Sequence, residues 1–437
     1  KYMTNLSKKI KNKTAKVGII GLGYVGLPLA VEFAKAGFYV TGIDISNDVI
    51  SKISKGISYI IDVQSSDVAR LVKSGLLRVT NDFSVISELD TINICVPTPL
   101  RKSKDPDVSF IIAAVTEIQK YIRKGQLVIL ESTTYPGTTE EVVRPLLEES
   151  GLKVGEDFYL AFSPERVDPG NKKYNTKNTP KVVGGTTPKC CEISKLFYSQ
   201  VIDTVISVSS TQTAELVKLL ENTFRAVNIG LVNEMAIMCD KLGIDIWEVI
   251  DAAATKPFGF MPFYPGPGLG GHCIPIDPLY LSWKAKFYNF TARFIELADE
   301  VNSLMPDYVI SKISQALNDA KKCINGSKIL VMGITYKANI SDMRESPAIT
   351  IIEKLEKQKA VISYNDPFVP EVVIDNKLYH SVSLDKNIIK KFDLVVITAG
   401  HSVYNWSKIL TDEQIIVVDT RNALKNEKKI KCKLYKI

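Results

Sequence analysis

A glycine-rich segment ends in a cysteine, and a carboxylate follows four residues later. The segment is PGPGLGGHCIPIDP, residues 265–278, in which Cys273 and Asp277 follow four glycines within six positions. Glycine loses much conformational freedom on folding, so such a loop is costly to order and is rarely needed for packing alone. A thiolate is a strong nucleophile that forms acyl intermediates. The spacing indicates either a nucleophile on a ligand-binding loop or a small buried cysteine in a surface turn.

A second glycine motif indicates a dinucleotide site. In GLGYVG, Gly21 permits a tight turn, Gly23 lets the backbone approach a pyrophosphate, and Gly26 permits close packing of a helix on a strand. Asp44 ends the next predicted strand, 18 residues after Gly26. A carboxylate there accepts from both ribose hydroxyls and disfavours a 2′-phosphate. The pattern predicts NAD as the cofactor, against the alternative of a packing turn without a ligand.

Three polar motifs each follow a predicted strand. They are VPTP at 96–99, ESTT at 131–134 and SPER at 163–166. Because ligands bind at the carboxyl ends of parallel strands, these motifs place hydroxyls and the Glu165 carboxylate at that edge. Simple caps and turns, or a surface ion pair of Glu165 with Arg166, are the alternatives.

A long helical pattern carries a lysine and an asparagine on one face. Lys218 and Asn222 are four residues apart in E-x-x-K-x-x-x-N. Such a pair is usually solvated. If this face lines the site of Cys273, Lys218 would donate a hydrogen bond to a developing oxyanion.

The elements that must position these residues follow an α/β rhythm at both ends of the chain. Predicted strands lie at 16–20, 38–43, 91–96, 127–130, 158–161, 181–183, 201–206, 329–332, 360–364, 394–398 and 414–418. Between them, helical patterns cover 211–242, 246–253 and 291–320. We therefore predict an α/β fold of two Rossmann-like domains with parallel sheets joined by a long-helix central segment. The predicted domains are 1–210 (NAD-binding), 211–322 (central helical linker) and 323–437 (a second Rossmann-like domain).

Composition restricts the class of protein. The chain is 45% hydrophobic and 24% charged with a net charge of +7, which is compatible with anionic ligands but is spread along the chain, so we expect no nucleic-acid partner. No apolar run has the length of a membrane span, and the polar first 16 residues do not resemble a signal peptide. Seven scattered cysteines and three histidines predict no metal site and a cytoplasmic location.

The motifs together resemble one family. In order, GLGYVGLP, VPTP, ESTT, SPER, E-x-x-K-x-x-x-N, GGHC-x-x-x-D and the DMRESP of 342–347 resemble the UDP-glucose/GDP-mannose dehydrogenase family over roughly residues 16–422. The sequence around Cys273, together with SPERVDPG, resembles that of the branch that acts on UDP-N-acetylhexosamines. Within it, residues 263–269 are most similar to the UDP-N-acetylglucosamine enzymes. UDP-N-acetylmannosamine, UDP-N-acetylgalactosamine and UDP-glucose are the alternative substrates.

The resemblance implies a reaction and its catalytic residues. A C6 hydroxyl is oxidised to a carboxylate with two NAD, through a thiohemiacetal and a thioester of the cysteine, for surface polysaccharide or glycan biosynthesis. The implied catalytic residues are Cys273, Lys218, Asn222, Asp277, Glu165 and Thr133. Lys218 with Asn222 would stabilise oxyanions, Asp277 and Thr133 would orient water, and Glu165 would transfer protons.

The resemblance also implies binding residues and a partner. The NAD contacts would be Gly21, Gly23, Tyr24, Val25, Gly26, Asp44, Pro97, Thr98, Ser132 and Thr133. The UDP-sugar contacts would be Arg166, Lys218, Asn222, Arg225, Phe263, Tyr264, Gly270, His272, Tyr336, Lys337 and Arg421. We favour a substrate or structural role for His272 over catalysis. The resemblance further implies that 211–322 is the dimerisation domain of a homodimer or a higher homo-oligomer and that 323–437 binds the UDP-sugar.

Two other functions remain open at this point. A one-step Rossmann dehydrogenase of hydroxy acids also has two domains joined by helices, and it needs no thiol. A non-catalytic nucleotide-sugar sensor would keep the fold, but it would not need Cys273, Lys218 and Asp277 together.

Overall fold

The chain forms two compact units, which are described separately. The computed structural model describes residues 2–60, 62–101, 105–168, 171, 173–271, 273–384, 386–411, 413–428 and 430–437. The N-terminal unit comprises 1–221 and 283–290, and the C-terminal unit comprises 222–282 and 291–437. The three-domain division given above stays a prediction.

An eight-stranded sheet forms the centre of the N-terminal unit. Its strands are β1 (Lys16–Ile20), β2 (Tyr39–Ile43), β3 (Leu77–Thr80), β4 (Thr91–Ile94), β5 (Leu127–Leu130), β6 (Tyr159–Phe162), β7 (Lys181–Gly185) and β8 (Val205–Val208). The order is β3-β2-β1-β4-β5-β6-β7-β8. All neighbours are parallel except β6 and β7, which are antiparallel and depart from the predicted pattern.

Helices cover this sheet, so its central strands are buried on both faces. All residues of β4, β5 and β6 are buried, as expected for strands covered on both sides. The helices are α1 (Tyr2–Lys11), α2 (Gly26–Lys35), α3 (Asn47–Ser54), α4 (Ser65–Lys73), α5 (Ser109–Tyr121), α6 (Arg144–Glu148) and α7 (Pro188–Tyr198), with a 3₁₀ helix at Phe83–Glu88 and a π-helix at Thr139–Val143. Phe33 of α2 stacks on Phe197 of α7 with ring centroids 4.3 Å apart, which joins helix to helix in the core.

The C-terminal unit contains a parallel sheet and long helices. Its helices, the first and third of which begin or end in the other unit, are α8 (Thr211–Leu242), α9 (Ile246–Ala253), α10 (Asp277–Lys286), α11 (Arg293–Asp319), α12 (Pro347–Lys357), α13 (Lys386–Ile389) and α14 (Trp406–Ile409). Its strands are β9 (Lys328–Met332), β10 (Val361–Asn365), β11 (Glu371–Ile374), β12 (Lys377–His380), β13 (Leu394–Ile397), β14 (Ile416–Asp419) and β15 (Lys433–Lys436). The sheet has the order β10-β9-β13-β14-β15, and β11 with β12 forms an antiparallel hairpin. The predicted α/β fold with two Rossmann-like sheets and a long helical middle is confirmed.

No helix in the described part of the chain combines the length and the apolar character that a bilayer crossing requires.

Candidate active site

The glycine motif of the N-terminal unit is a tight turn with one open position. Gly21 has φ +87°, and a Cβ there would lie 2.6 Å from the carbonyl oxygen of Cys95. A Cβ at Gly26 would lie 1.8 Å from the carbonyl oxygen of Gly21, whereas a Cβ at Gly23 would meet no atom within 4 Å. The backbone is therefore bare at Gly23, just before α2 begins at Gly26. This arrangement fits a pyrophosphate at a helix N-terminus.

Asp44 closes the same turn from the end of β2. Its Oδ2 accepts from the backbone N–H of Leu22 at 2.9 Å, and its Oδ1 accepts from that of Ser46 at 2.9 Å. Because a carboxylate oxygen has two acceptor positions, each oxygen keeps one for a ribose hydroxyl. Asp44 thus fits the ribose role while it holds the loop in place.

The loops after β4 and β5 are joined to each other. Ser132 Oγ donates to the carbonyl oxygen of Val96 at 2.7 Å, which links ESTT to VPTP. Thr98 is buried, whereas Pro97 is exposed, as is Tyr24 of the glycine turn. The structure brings the two motifs together at the carboxyl edge of β4 and β5. Their contacts to NAD stay predictions.

Thr133 and Lys218 meet in the N-terminal unit. Lys218 Nζ, on α8, donates to Thr133 Oγ1 at 2.5 Å. The two residues are 85 positions apart, so the sequence supplied no local sign of this contact. The pair combines a cation and a hydroxyl, which are the donors that a developing oxyanion or an attacking water requires.

Glu165 is held as a carboxylate. Its Oε1 accepts from the backbone N–H groups of Arg166 and Val167, each at 2.8 Å, and its Oε2 lies 3.4 Å from Lys181 Nζ. Burial raises the pKa of Glu165, but the charge of Lys181, these two N–H groups and the charge of Lys218 lower it more, so the net pKa is below its ordinary value. Glu165 is therefore a base at neutral pH.

Arg166 does not pair with Glu165 through its guanidinium. Its Nη2 and Nε donate to the two carboxylate oxygens of Glu221 at 2.5 and 3.2 Å, and its Nη1 donates to the Pro180 carbonyl at 2.7 Å. The simple ion pair considered for the SPER dipeptide is thus absent, and Glu221 takes its place. The predicted substrate contact of Arg166 remains untested.

Glu215 is a site residue whose function the motif left unassigned. It is 1% exposed, and its carboxylate accepts from the N–H of Gly137 at 2.6 Å, the N–H of Thr139 at 2.9 Å and the Thr139 hydroxyl at 2.7 Å. It anchors the loop that continues from Thr133. Burial raises the pKa of Glu215 to about 7, although these hydrogen bonds oppose the rise. Its position three residues before Lys218 on the same helix face was the available sign.

In the C-terminal unit, Asn222 and Asp277 form a buried pair beside the cysteine turn. Asn222 Nδ2 donates to Asp277 Oδ2 at 2.6 Å, and Asp277 is 1% exposed. The backbone N–H of Asp277 donates to the Cys273 carbonyl at 2.8 Å, so Cys273 lies in the turn that precedes α10. The structure therefore brings together three of the predicted catalytic residues in this unit.

The glycines of this loop allow close packing on the second sheet. Gly271 has φ +84° and donates its N–H to the Arg344 carbonyl at 2.9 Å. A Cβ at Gly270 would lie 2.5 Å from Cβ of Tyr336, and one at Gly266 would lie 2.6 Å from Nη1 of Arg421. The loop thus lies directly against two residues predicted to bind the UDP-sugar.

Arg421 presents a partly buried cation at this place. Its Nε donates to the Thr398 carbonyl at 3.1 Å and its Nη2 donates to the Tyr336 carbonyl at 3.4 Å. Burial lowers the pKa of Arg421 to about 10, partly opposed by the charge of Asp419, so the group is still charged at neutral pH. A guanidinium of this kind is suited to a diphosphate.

The remaining predicted substrate residues are less concentrated. Phe263 packs edge-to-face on Phe224 with centroids 5.6 Å apart, and Tyr264 stacks on Trp247 and donates to Asp251 at 3.0 Å. Arg225 and Lys337 are exposed. His272 lies outside the described residues. No group of three or more His, Cys, Asp or Glu side chains among the described residues is arranged to hold a metal ion.

Sequence profiles of one family match almost the whole chain. The UDP-glucose/GDP-mannose dehydrogenase family is matched by its NAD-binding domain at residues 15–202, its central domain at 212–304 and its UDP-binding domain at 330–426. The family resemblance and the NAD prediction are thereby confirmed.

Individual relatives are similar over most of their length. The UDP-N-acetyl-D-glucosamine 6-dehydrogenase of Pseudomonas aeruginosa is 39% identical over 82% of this chain and 84% of its own. The UDP-N-acetyl-D-mannosamine dehydrogenase of Pyrococcus horikoshii is 35% identical over 94% of this chain and 96% of its own. The solved structure of the UDP-D-ManNAc dehydrogenase from Pyrococcus horikoshii has a TM-score of 0.88 at 34% identity, covering 97% of this chain and 99% of that one.

Proposed function

Because the chain belongs to the UDP-glucose/GDP-mannose dehydrogenase family and is an NAD-dependent UDP-sugar dehydrogenase, we propose that it oxidises the C6 hydroxyl of UDP-N-acetylglucosamine to a carboxylate. The observation that carries the proposal is the cluster in the C-terminal unit. There the turn of Cys273 is hydrogen-bonded to the backbone of Asp277, whose carboxylate is paired with Asn222.

Each residue type suits one step. Gly21, Gly23 and Gly26 would hold NAD, and two NAD in turn would supply the hydride acceptor for the two oxidations at C6, with the hydroxyl proton passing to a base. Cys273 adds to the C6 aldehyde, forming a C–S bond, and oxidation of the resulting thiohemiacetal leaves a thioester. Water then replaces the sulfur, which releases the carboxylate and the free thiol.

The other residues act on protons and charge. Lys218 and Asn222 donate hydrogen bonds to the oxygen that becomes negative in these intermediates, and loss of one such donor costs about a hundredfold or more in rate. Glu165, held as a carboxylate, takes the proton of the attacking water. Thr133 and Asp277 orient that water. Arg421, with Tyr336 and Lys337, holds the diphosphate and the nucleoside of the substrate.

Two observations support UDP-N-acetylglucosamine as the substrate. They are the amino-acid sequence of the cysteine loop and the 39% identity with the UDP-N-acetyl-D-glucosamine 6-dehydrogenase of Pseudomonas aeruginosa. UDP-N-acetylmannosamine is the second candidate, since a relative with that substrate in its name covers more of the chain at 35% identity. Either product would serve the synthesis of a surface polysaccharide or glycan.

We also propose a cytoplasmic homodimer. No disulfide joins any of the seven cysteines, all of which lie among the described residues, and this suits a reducing compartment. Phe224, Leu231 and Met238 recur every seven residues on α8 and are 46%, 54% and 44% exposed, and Leu297 and Leu304 of α11 repeat the spacing. Apolar side chains exposed in such a stripe are typical of a surface that a second copy covers.

The purified protein tests the reaction. It is incubated with NAD and, in parallel, UDP-N-acetylglucosamine, UDP-N-acetylmannosamine, UDP-N-acetylgalactosamine and UDP-glucose, and NADH and uronate are quantified. We expect two NADH per sugar with UDP-N-acetylglucosamine, loss of uronate in Cys273→Ala, and normal activity in Cys323→Ala, which removes an exposed cysteine. One NADH per substrate with an active Cys273→Ala would instead identify a one-step dehydrogenase. No NAD reduction with any sugar would favour the sensor.

A further inference from the structure

A buried lysine joins two carboxylates beneath the carboxyl edge of the N-terminal sheet. Lys181, the first residue of β7, is 5% exposed, and its Nζ lies 2.8 Å from Glu131 Oε2 and 3.4 Å from Glu165 Oε2. Glu131 follows β5, and its side chain is fully buried. Because burying an unpaired charge costs several kcal/mol, each of these three groups depends on the others.

Glu131 is a fixed anchor for the lysine. Its Oε1 accepts from Asn93 Nδ2 at 2.6 Å and from the Tyr198 hydroxyl at 2.7 Å, which leaves Oε2 for Lys181. The ring of Tyr198 also lies 5.0 Å from Lys181 Nζ, within cation–π distance. Glu131 and Tyr198 thus hold the lysine through contacts that do not involve Glu165, so it has little freedom to move away.

Glu165 is the one carboxylate of the two that reaches solvent, with 12% of its side chain exposed. Two backbone N–H groups hold its Oε1, and its Oε2 faces the lysine. The groups facing this carboxylate are the cations Lys181 and Lys218, the anion Glu131 behind Lys181, and the buried Cys95 thiol. Burial raises the pKa of the Cys95 thiol, so it contributes no charge at neutral pH.

We propose that Lys181 is a positioning residue that keeps Glu165 ionised and correctly oriented, and that Glu131 limits how much of the lysine's charge Glu165 receives. The inference rests on the proposed function, in which Glu165 accepts a proton from the water that attacks the thioester. One buried cation shared by two carboxylates then determines the pH range in which the last step proceeds.

Loss of Lys181 and loss of the charge of Glu131 should have opposite effects on the pH at which Glu165 is protonated. Without Lys181, burial of Glu165 is opposed only by its backbone donors and Lys218, so it protonates at higher pH. Without the charge of Glu131, Lys181 forms an ion pair with Glu165 alone, so Glu165 stays ionised to lower pH. A purely structural lysine would predict lower activity in both variants with no opposite shifts.

The variants Lys181→Met, Lys181→Arg and Glu131→Gln test this. Uronate formation is measured from pH 3.5 to 9, and NAD affinity and thermal melting report folding. In Lys181→Met, we expect the acidic limb of the rate profile to move to higher pH by about one unit or more, since a cation within 4–6 Å shifts a carboxyl pKa by at least about one unit. Lys181→Arg keeps the wild-type profile, and Glu131→Gln moves the acidic limb to lower pH. A uniform loss of rate at all pH values overturns the proposal.

A second measurement does not depend on turnover. Infrared spectra of the NAD-bound protein record the C=O stretch of protonated carboxyl groups as pH is lowered, and subtraction of the Glu165→Gln spectrum isolates Glu165. This band should appear at higher pH in Lys181→Met and at lower pH in Glu131→Gln. If no uronate forms, the proposed function fails while the infrared titration still decides whether Lys181 controls Glu165. If Lys181→Met does not fold, an unshifted band in Glu131→Gln overturns the inference.

Discussion

Replacing Glu215 with glutamine should change how the stability of the N-terminal unit depends on pH. The folded pKa of Glu215 is about 7, raised by burial from 4.5. Below pH 4.5 the group is protonated in both states and no free energy is lost. As pH rises from 4.5 to 7 the unfolded chain releases this proton while the folded chain keeps it. Stability from this group is therefore fully present at low pH and is lost as pH rises through 7.

The magnitude follows from the size of the shift. One pKa unit corresponds to about 1.4 kcal/mol, so the loss is about 1 kcal/mol at pH 5.5 and about 3 kcal/mol above pH 7. Glu215 should therefore lower the free energy of unfolding by about 2 kcal/mol between pH 5.5 and 8. Glutamine has no such titration. Its amide N–H₂ would face the N–H of Gly137 at one end, a cost that is the same at every pH.

Urea unfolding at pH 5.5 and 8, followed by circular dichroism and tryptophan fluorescence, measures the difference. We expect the change between the two pH values to be about 2 kcal/mol smaller in Glu215→Gln than in the wild type. Glu156→Gln removes an exposed carboxylate from the same unit and controls for the loss of one formal charge. Equal pH dependence in wild type and Glu215→Gln would refute the assignment of a raised pKa to the buried carboxylate.

Two further predictions concern the C-terminal unit and its surface. Asn222→Ala leaves the buried Asp277 without its amide donor, so we expect about 1.5–3 kcal/mol lower stability in urea unfolding and slower uronate formation, with the NAD affinity in calorimetry unchanged. Leu231→Asp places a charge in the apolar stripe of α8, so light scattering should give the mass of one chain, whereas Val373→Asp, at a 64% exposed position of β11, should keep the mass of the wild type.

Local sequence patterns were sufficient to predict the elements whose structure depends on neighbouring residues. Apolar runs located β1, β5 and β9, and the uninterrupted helical spacing gave both ends of α8. The glycine turn was also predictable, because only glycine accepts the φ of Gly21 and the approach of Gly26. These features depend on residues close in sequence or on burial, which periodicity reports.

Strand direction and long-range polar contacts were not predictable in this way. A parallel pair needs a crossover, usually helical, but no helix lies among the described residues of 163–180, and β7 returns antiparallel to β6. The strand β3 was missed because its sequence, Leu-Arg-Val-Thr, lacks an apolar run. Lys181 was assigned to a strand, but its ion pair with Glu131, 50 residues away, has no counterpart in local spacing.

Each unit contains a glycine turn of the same geometry. In the C-terminal unit, however, a histidine binds the carboxylate of the turn. Gly333, with φ +78°, donates to the Asn365 carbonyl at 2.8 Å as Gly21 does to that of Ile43, and Asp366 Oδ2 accepts from the N–H of Ile334 at 2.8 Å as Asp44 Oδ2 does from that of Leu22. Asp44 and Asp366 differ in the other groups to which they are hydrogen-bonded.

In the C-terminal unit, His401 is hydrogen-bonded to the equivalent acid, Asp366. The N–H of Asn339 donates to His401 Nδ1 at 2.9 Å, so the ring proton is on Nε2, which donates to Asp366 Oδ2 at 3.0 Å. Asp366 is 2% exposed, whereas Asp44 is only partly buried. Thr335 and Ala338 also stand where the N-terminal turn has its second and third glycines. The second turn therefore keeps the geometry that joins two strands, but its carboxylate is buried and hydrogen-bonded to a side chain of the same unit.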